Sequence, residues 1–373
     1  LKMNSLFFEN YNNLTHFLKN SDTELENRRK RNSDMLLNYK VRKTRRHYKY
    51  PKMDFLTPLN QHNEKIKFFQ LNLCYNPQFV YEKDFGEAMT PAHPDTKLVD
   101  LALKILRKNK NFGVASSKEK LLTEAQVLEH CHAYIQDLGI SLDSFEFKFC
   151  ANSISGATII HNKNGKSCLK IAVPVRYTHS KILDTLNHEI GTHYVRKYND
   201  KFQFWFQKKG VLRMKKDIET EEGLASLAQL YEASMSNLRI PILFKPALNY
   251  YSAYLASTHS FSSLYLKLRE FIADSEKLWH QCMRVKRGLT DTSKTGGMFK
   301  DQSYFIGAVK LLLNRREIRF NHIYCGKISI TDLMNRTSPE QIVTAPCIFP
   351  YFIKDEVAFA KALDKIAAFN DIP

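Results

Sequence analysis

The sequence predicts an α+β fold that is predominantly helical and carries one small antiparallel sheet. Three observations support this prediction. Apolar residues recur at helical spacing through most of the chain after residue 60. Strict alternation of apolar and polar residues is confined to residues 144–175, which indicates neighbouring strands. Helical spacing returns directly afterwards, so the sheet precedes a helix in the middle of the chain.

The 373 residues divide into a basic extension and one folded domain. Residues 1–59 contain basic clusters at residues 28–31 and 40–52, followed by prolines and polar residues without a core-forming period. We predict that this extension is flexible. The chain is 43% hydrophobic and 12% aromatic, which is enough for a substantial core within residues 60–373.

The net charge of +18 predicts attraction to polyanions. Charge alone does not choose among nucleic acid, an anionic membrane face and an acidic protein surface. No run of about 18 apolar residues occurs and no signal-peptide layout is present, so neither a membrane span nor secretion is predicted. The seven cysteines are scattered and include no C-x-x-C pair, which favours a reducing, cytoplasmic setting.

The first elements of the folded domain are two predicted helices. Over residues 95–109, TKLVDLALKILRKN places apolar residues between basic ones after two prolines. Over residues 116–138 a second helix is predicted, with an N-cap at Ser116 or Ser117.

Strands follow, and then further helices. FEFKFC, ATIIH and SCLKIAVPV alternate, and Asn164-Gly165 supplies a hairpin turn between the last two. Later segments return to helical spacing: residues 180–198, the segment EEGLASLAQLYEA, and residues 248–280, 302–314 and 356–369.

Residues 188–193 spell HEIGTH, the pattern in the chain that most directly indicates chemistry. In the common zinc-binding pattern H-E-x-x-H the histidines lie about 40° apart around a helix and face one metal ion. Here the extra residue separates them by about 140° on an ideal helix. Either the pattern is accidental, or a one-turn bulge at residues 190–192 absorbs the insertion. Gly191 lies in it, where we expect a deformable backbone.

A catalytic zinc ion keeps three protein ligands and one open position for water. His188 and His193 supply two ligands, and Glu222 follows His193 by 29 positions. Zinc peptidases of the gluzincin type carry their third ligand in a similar E-G-h-A context, so we prefer Glu222 over Glu221. Glu189 is the candidate general base. These residues predict a gluzincin-like metallopeptidase domain with one Zn²⁺ per chain.

Three segments together resemble the microtubule-associated tyrosine carboxypeptidases, HExxxH metalloproteases that remove the C-terminal tyrosine of α-tubulin. The segments are VPVRYTHSKILDTLNHEIGTHYVRKYND, TEEGLASL and MRVKRGLTDTSKTGGMFKDQSYFIGAVKLL, at residues 173–200, 220–227 and 283–312. The resemblance extends over roughly residues 60–370. It implies His188, His193 and Glu222 as zinc ligands and Glu189 as base, which are the residues that the motif spacing also predicts.

The resemblance implies a zinc carboxypeptidase that removes a C-terminal tyrosine, or a similar aromatic residue, from an acidic tail such as that of α-tubulin. It implies tubulin and microtubules as partners and a cytoplasmic, cytoskeletal location. The basic extension would then act as a tether to the acidic lattice. Two alternatives stay open: a metallopeptidase of the same mechanism with another substrate, and a microtubule- or nucleic-acid-binding protein with a vestigial metal site.

Substrate-binding residues are predicted from the needs of the reaction. An arginine or lysine near the metal binds a free α-carboxylate best. Arg176 and Lys300 are the candidates, although Arg176 could instead pair with Asp184. The SCLKIAVPV strand is expected at a sheet edge, where an extended substrate could pair with it. A hydroxyl could stabilise the tetrahedral oxyanion, and the candidates are Tyr177, Tyr231 and Tyr304.

Overall fold

Helices make up most of the structure and one three-stranded sheet accompanies them, so the predicted α+β class is confirmed. The structure, a computed structural model, describes residues 56–82, 94–110, 119–151, 155–162, 164–236 and 239–373. The predicted extension over residues 1–59 lies almost entirely outside these residues. Its boundary with the folded domain therefore stays a prediction.

The helices that precede the sheet are α1 Gln61–Gln70, α2 Val99–Lys108 and α3 Glu124–Asp137. The predicted start of the third is wrong, and Ser116 and Ser117 lie outside the described residues. Helix α3 begins after Thr123, whose side chain accepts a hydrogen bond from the backbone N–H of Gln126. The Gln126 side chain in turn accepts the backbone N–H of Thr123. This capping box fixes the first turn, which is why the helix starts there.

The sheet contains β1 Phe145–Cys150, β2 Ala157–His161 and β3 Ser167–Ala172, in the order β1-β3-β2. Strands β2 and β3 are antiparallel, as the Asn-Gly turn predicts. Strand β1, however, runs parallel to β3, with Phe147 opposite Leu169. The sheet is therefore mixed, and the prediction of an antiparallel sheet is wrong for β1.

The predicted edge position of the SCLKIAVPV strand is also wrong, because β3 is central. Its side chains Cys168, Leu169 and Ile171 are 3%, 1% and 1% exposed, so this strand is covered on both faces. A strand buried in this way is best stabilised between two neighbours. Strand β2 instead forms the edge of the sheet that contacts the segment following β3, because its Ile159 N–H donates to Glu189.

Directly after the sheet, the chain forms α4 His179–His188, a π-helical turn Glu189–Tyr194 and α5 Val195–Asp200. In a π-helical turn the hydrogen bonds run from residue i to i+5, so residues five apart come to lie on the same side. The insertion in HEIGTH is absorbed here, over a longer segment than the predicted 190–192.

Gly191 is needed in this turn for space rather than for backbone freedom. Its φ is not in the left-handed region. A Cβ at this position would lie 2.3 Å from Tyr134 Oη and 3.1 Å from a ring atom of Phe352. Glycine is therefore required here because there is no room for a side chain, and not because the backbone must be deformable as the sequence suggested.

The helices that follow are α6 Ile218–Gln229, α7 Tyr231–Met235, α8 Phe244–Ala256, α9 Phe261–Leu268, α10 Ser275–Lys286, α11 Gln302–Leu313, α12 Phe320–Tyr324, α13 Ile330–Arg336, α14 Tyr351–Lys354 and α15 Glu356–Phe369. The single helix predicted over residues 248–280 is wrong, because Ser260 and Asp274 cap the starts of α9 and α10. Of the helices described, none combines the length and the apolar character that crossing a membrane requires.

Helices α6 and α11 approach each other backbone to backbone. A Cβ at Gly307 would lie 1.7 Å from the carbonyl oxygen of Glu219, and a Cβ at Gly223 would lie 2.3 Å from the carbonyl carbon of Gly307. Only glycine at both positions allows this approach. The contact brings the start of α6, with Glu222, beside the first turn of α11, with Tyr304.

Candidate metal centre

The π-helical turn brings the two histidines of HEIGTH together. The ring centroids of His188 and His193 are 5.0 Å apart, with their planes at 74°. An α-helical path would point the rings in different directions. The distortion of the helix therefore creates the pair.

Glu222 completes a group of three possible ligands. One ligand atom each from His188, His193 and Glu222 lies within 4.8 Å of the others. Glu222 Oε2 is 3.7 Å from His193 Nε2, and this buried oxygen has no hydrogen-bond partner among the described residues. An unpaired buried carboxylate oxygen is costly unless a cation compensates it. The donor set, two imidazoles and a carboxylate, fits a divalent metal ion such as Zn²⁺.

Glu221 supports the site from behind His193. Its Oε1 lies 2.7 Å from His193 Nδ1, which directs Nε2 of the same ring toward Glu222. Arg196 and Lys327 both form ion pairs with Glu221. A carboxylate that holds the far nitrogen of a ligating histidine is a common feature of metal sites.

The electrostatics of the two histidines differ. Burial, together with the charge of His193, lowers the pKa of His188 to about 3, so His188 is neutral at pH 7. Burial alone would lower the pKa of His193 as well, but Glu221, Glu222 and Glu189 raise it above its usual value. Neutral imidazole is the ligating form, and His188 is already in it.

The carboxyl group of Glu189 lies in the same buried space. Its Oε1 is 4.0 Å from His188 Nε2, and its Oε2 accepts the backbone N–H of Ile159 at 3.0 Å. Burial raises the pKa of Glu189 to about 7, against the opposing effects of His193 and the Ile159 N–H. Because Ile159 belongs to β2, Glu189 lies at the free edge of the sheet.

Two of the predicted tyrosines lie at this centre. The ring of Tyr304 stacks on that of His188, with centroids 6.3 Å apart and planes at 24°. Burial and the charge of Glu222 raise the pKa of Tyr304 well above its usual value, so its hydroxyl stays protonated. Burial raises the pKa of Tyr177 to about 12, and the charge of Glu189 adds to this increase.

The structure does not bring Tyr231 to the centre. Its ring packs against Tyr351, Phe352 and Phe359, with centroids 5.6 to 6.2 Å away. This is the packing of a core aromatic residue on α7.

Among the described contacts, none joins the two predicted carboxylate-binding residues to His188, His193 or Glu222. Arg176 is exposed, and its charge acts on Asp274 and His280. Its suggested partner Asp184 forms an ion pair with Arg239 instead. Lys300 is half-buried beside Asp301, whose pKa it helps to lower.

Sequence reasoning missed a cationic group near Tyr304. The guanidinium carbon of Arg284 lies 6.0 Å from the Tyr304 ring centroid, and Asp301 binds both Arg284 and Arg287. The available signal was the spacing of Arg284, in the last turn of α10, and Arg287, directly after the helix. It was indistinguishable in the sequence from the many other basic pairs of this chain.

Three ligand groups around one point, with the carboxyl group of Glu189 beside them, define a candidate metalloenzyme centre. The sequence model of a family described as microtubule-associated tyrosine carboxypeptidase matches residues 67–371. The chain belongs to this family, as the resemblance of its motifs indicates.

Individual relatives agree with this assignment. The chain is 30% identical over 328 residues to the human protein named microtubule-associated tyrosine carboxypeptidase 1, covering 84% of this chain and 67% of the relative. It is 31% identical over 320 residues to the human putative tyrosine carboxypeptidase MATCAP2, covering 85% of this chain and 52% of the relative. The chain thus spans about two thirds of the first relative's length and about half of the second's.

Proposed function

We propose that this protein is a zinc carboxypeptidase of gluzincin-like architecture that removes a C-terminal tyrosine, or a similar aromatic residue, from an acidic protein tail such as that of α-tubulin. The observation that carries the proposal is the convergence of His188, His193 and Glu222 within 4.8 Å beside the carboxyl group of Glu189. The names of the relatives supply the substrate class.

In this proposal His188, His193 and Glu222 hold one Zn²⁺, which when bound polarises water and the scissile carbonyl. Glu189 accepts the proton of the attacking water and delivers it to the leaving amine. One of its oxygens already accepts the N–H of Ile159, which orients the carboxylate. A pKa raised by burial suits a group that must take up and release a proton near neutral pH.

Tyr304 is the proposed donor to the oxyanion. Its hydroxyl is kept protonated, and its ring is positioned by stacking on His188. A preorganised donor of this kind stabilises charge that develops only in the transition state. Tyr177, whose pKa responds to Glu189, is the second candidate.

The free edge of β2 is the proposed binding place for the substrate backbone. Strand Ala157–His161 lies at the edge of the sheet, and Glu189 meets it at Ile159. A peptide that pairs with an edge strand is held extended and in register. This assigns to β2 the role that the sequence suggested for β3.

The charge of the chain fits an acidic substrate. A net charge of +18 attracts acidic tails and the microtubule surface, which supports a cytoplasmic, cytoskeletal location. The basic extension over residues 1–59 is the proposed tether. Retention beside a lattice would raise the local concentration of tails.

The proposal is tested by incubating the zinc-loaded protein with peptides that end in Glu-Glu-Tyr and with the same peptides amidated. We expect release of tyrosine from the free acid only, and loss of at least about 100-fold in kcat for Glu189→Gln. The matched control is Glu219→Gln, an exposed position on α6.

Each alternative gives a different result. Cleavage of free and amidated peptides at equal rates would contradict carboxypeptidase action while leaving a metallopeptidase of other specificity. Binding of microtubules or nucleic acid without stoichiometric zinc, and without turnover, would identify a binding protein with a vestigial site.

A further inference from the structure

We propose that Arg284, held by Asp301 and backed by Arg287, binds the free α-carboxylate of the substrate. This inference rests on the proposed carboxypeptidase function and assigns its recognition site. It names a residue other than Arg176 and Lys300, the two candidates predicted from the sequence.

The first argument is position. Arg284 lies in the last turns of α10, and its guanidinium carbon is 6.0 Å from the ring centroid of Tyr304. Tyr304 in turn stacks on His188. Burial would lower the pKa of Arg284, but the charges of Asp301 and Glu222 raise it above its usual value, so the guanidinium lies within the field of the ligand set.

The second argument is reach. The substrate carboxylate lies one residue beyond the scissile carbonyl, and consecutive residues are about 3.8 Å apart. Adding a metal–oxygen contact of about 2 Å at one end and a hydrogen bond of about 2.9 Å at the other places the binding cation roughly 8–10 Å from the metal. The distances from Arg284 to the Tyr304 ring centroid, 6.0 Å, and from that centroid to the His188 ring centroid, 6.3 Å, are compatible with this reach.

The third argument is the supply of donors. Arg284 Nε donates to Asp301 Oδ2 at 2.7 Å, and among the described contacts neither of its Nη atoms has an acceptor in the protein. The side chain is 19% exposed, so these atoms remain reachable from solvent. Two parallel N–H groups match the two oxygens of a carboxylate.

The fourth argument is charge. Arg287 Nη2 donates to both oxygens of Asp301, at 3.1 and 3.2 Å, while its buried Nη1 has no acceptor in the described part of the chain. Although burial would raise it, the two arginines lower the pKa of Asp301 to about 2, so this carboxylate is ionised. Two cations share one anion. The excess positive charge is what one substrate carboxylate would neutralise.

The matched control replaces a different arginine, Arg176. Arg176 is exposed, and its charge acts on Asp274 at the start of α10. Removing its charge changes the net charge of the protein by the same amount. Any general electrostatic effect on an acidic peptide therefore appears equally in Arg176→Gln.

The test measures binding separately from turnover. In the zinc-loaded Glu189→Gln background, N-terminally labelled peptides ending in Glu-Glu-Tyr, as the free acid and as the amide, are titrated by fluorescence anisotropy. We expect the free acid to bind at least about tenfold more tightly than the amide. Arg284→Gln should abolish this preference without changing the Kd of the amide, and Arg176→Gln should retain it.

Arg284→Lys guards against a folding defect, since it keeps the charge beside Asp301. It should weaken free-acid binding by about tenfold, because a lysine cannot form the two parallel bonds. Zinc content and the melting temperature are measured for each variant. An unchanged acid-to-amide ratio in the folded Arg284 variants, or equal weakening of both peptides, would overturn the inference.

The outcomes separate this inference from the proposed function. If the protein with Glu189 intact releases no tyrosine but binds the free acid through Arg284, the enzymatic proposal fails and the carboxylate site stands. If it releases tyrosine and Arg284→Gln leaves the preference intact, the site alone fails.

Discussion

Glu221 links the metal centre to the rest of the protein at the scale of single residues. It is 5% exposed and contacts His193 on one side and the cations of Arg196 and Lys327 on the other. Burial would raise its pKa, but Lys327, Arg196 and His193 hold it well below the usual range. Glu221 is therefore ionised at neutral pH, and its carboxylate keeps His193 oriented.

We predict that Glu221→Gln lowers zinc affinity by about 10- to 100-fold, since an amide holds the ring less strongly and leaves the buried Arg196 and the half-buried Lys327 without their anion. A zinc titration against a competing chelator measures this change. Glu219→Gln, on the exposed side of the same helix, should bind zinc as the wild type does. Equal affinities for both variants would show that Glu221 does not support the ligand.

At the scale of elements, the crossing of α6 and α11 determines which side chains meet. Gly223 and Gly307 remove the side chains that would otherwise keep these helices apart. Glu222 is next to one glycine, and Tyr304 lies one turn before the other. The close approach is therefore a condition for the site as well as a packing detail.

We predict that Gly307→Ala destabilises the protein by about 3 kcal/mol or more, because the new methyl group would overlap the backbone of Glu219 and the backbone cannot move aside. Urea unfolding measures this change, and zinc affinity should fall with it. Gly210→Ala is the control, since nothing lies within 4 Å of its Cβ position. Similar stabilities of the two variants would contradict the proposed crossing.

A buried lysine of α10 connects this helix to the end of α8 through hydrogen bonds to backbone carbonyl groups. Lys286 is fully buried, and its ammonium group donates to the carbonyl oxygens of Ala256, His259 and Lys294. It thereby ties the end of α8 to the loop that precedes α11. The Ala256 oxygen also accepts the backbone N–H of Gly296, whereas the ammonium group is the described donor to the other two oxygens.

We predict that Lys286→Met lowers the free energy of unfolding by about 3 kcal/mol, because it removes the donor to the carbonyl oxygens of His259 and Lys294. Lys267→Met, at an exposed position of α9, should change it by less than about 0.5 kcal/mol. Chemical denaturation of both variants measures this change in the free energy of unfolding. A neutral result for Lys286→Met would mean that water replaces the ammonium group.

At the scale of the whole molecule, the charge of +18 acts over longer distances than any single contact. Attraction of this kind speeds association with an acidic tail and is screened by salt. It carries little information about which bond is cleaved. Recognition of the terminus has to come from particular groups such as Arg284.

We predict that raising ionic strength from about 50 to about 200 mM weakens binding of a peptide ending in Glu-Glu-Tyr several-fold. A peptide ending in Gln-Gln-Tyr should show a much smaller change, since only its terminal carboxylate is charged. Anisotropy titrations at the two salt concentrations measure both. The same salt dependence for both peptides would indicate that the acidic side chains do not contribute.

The sequence by itself determined the helical class, the HEIGTH motif with its need for a bulge, the candidate ligand Glu222 and the family. These depend on local periodicity and on short spacings, which a chain carries wherever its segments pack. The tertiary structure decided the rest: the parallel pairing of β1, the central place of β3, and the meeting of Arg284 and Tyr304 with His188. The positions of Arg176 and Tyr231 were decided in the same way. Such meetings depend on which helices approach most closely, and contacts between distant segments leave no periodic signal in the sequence.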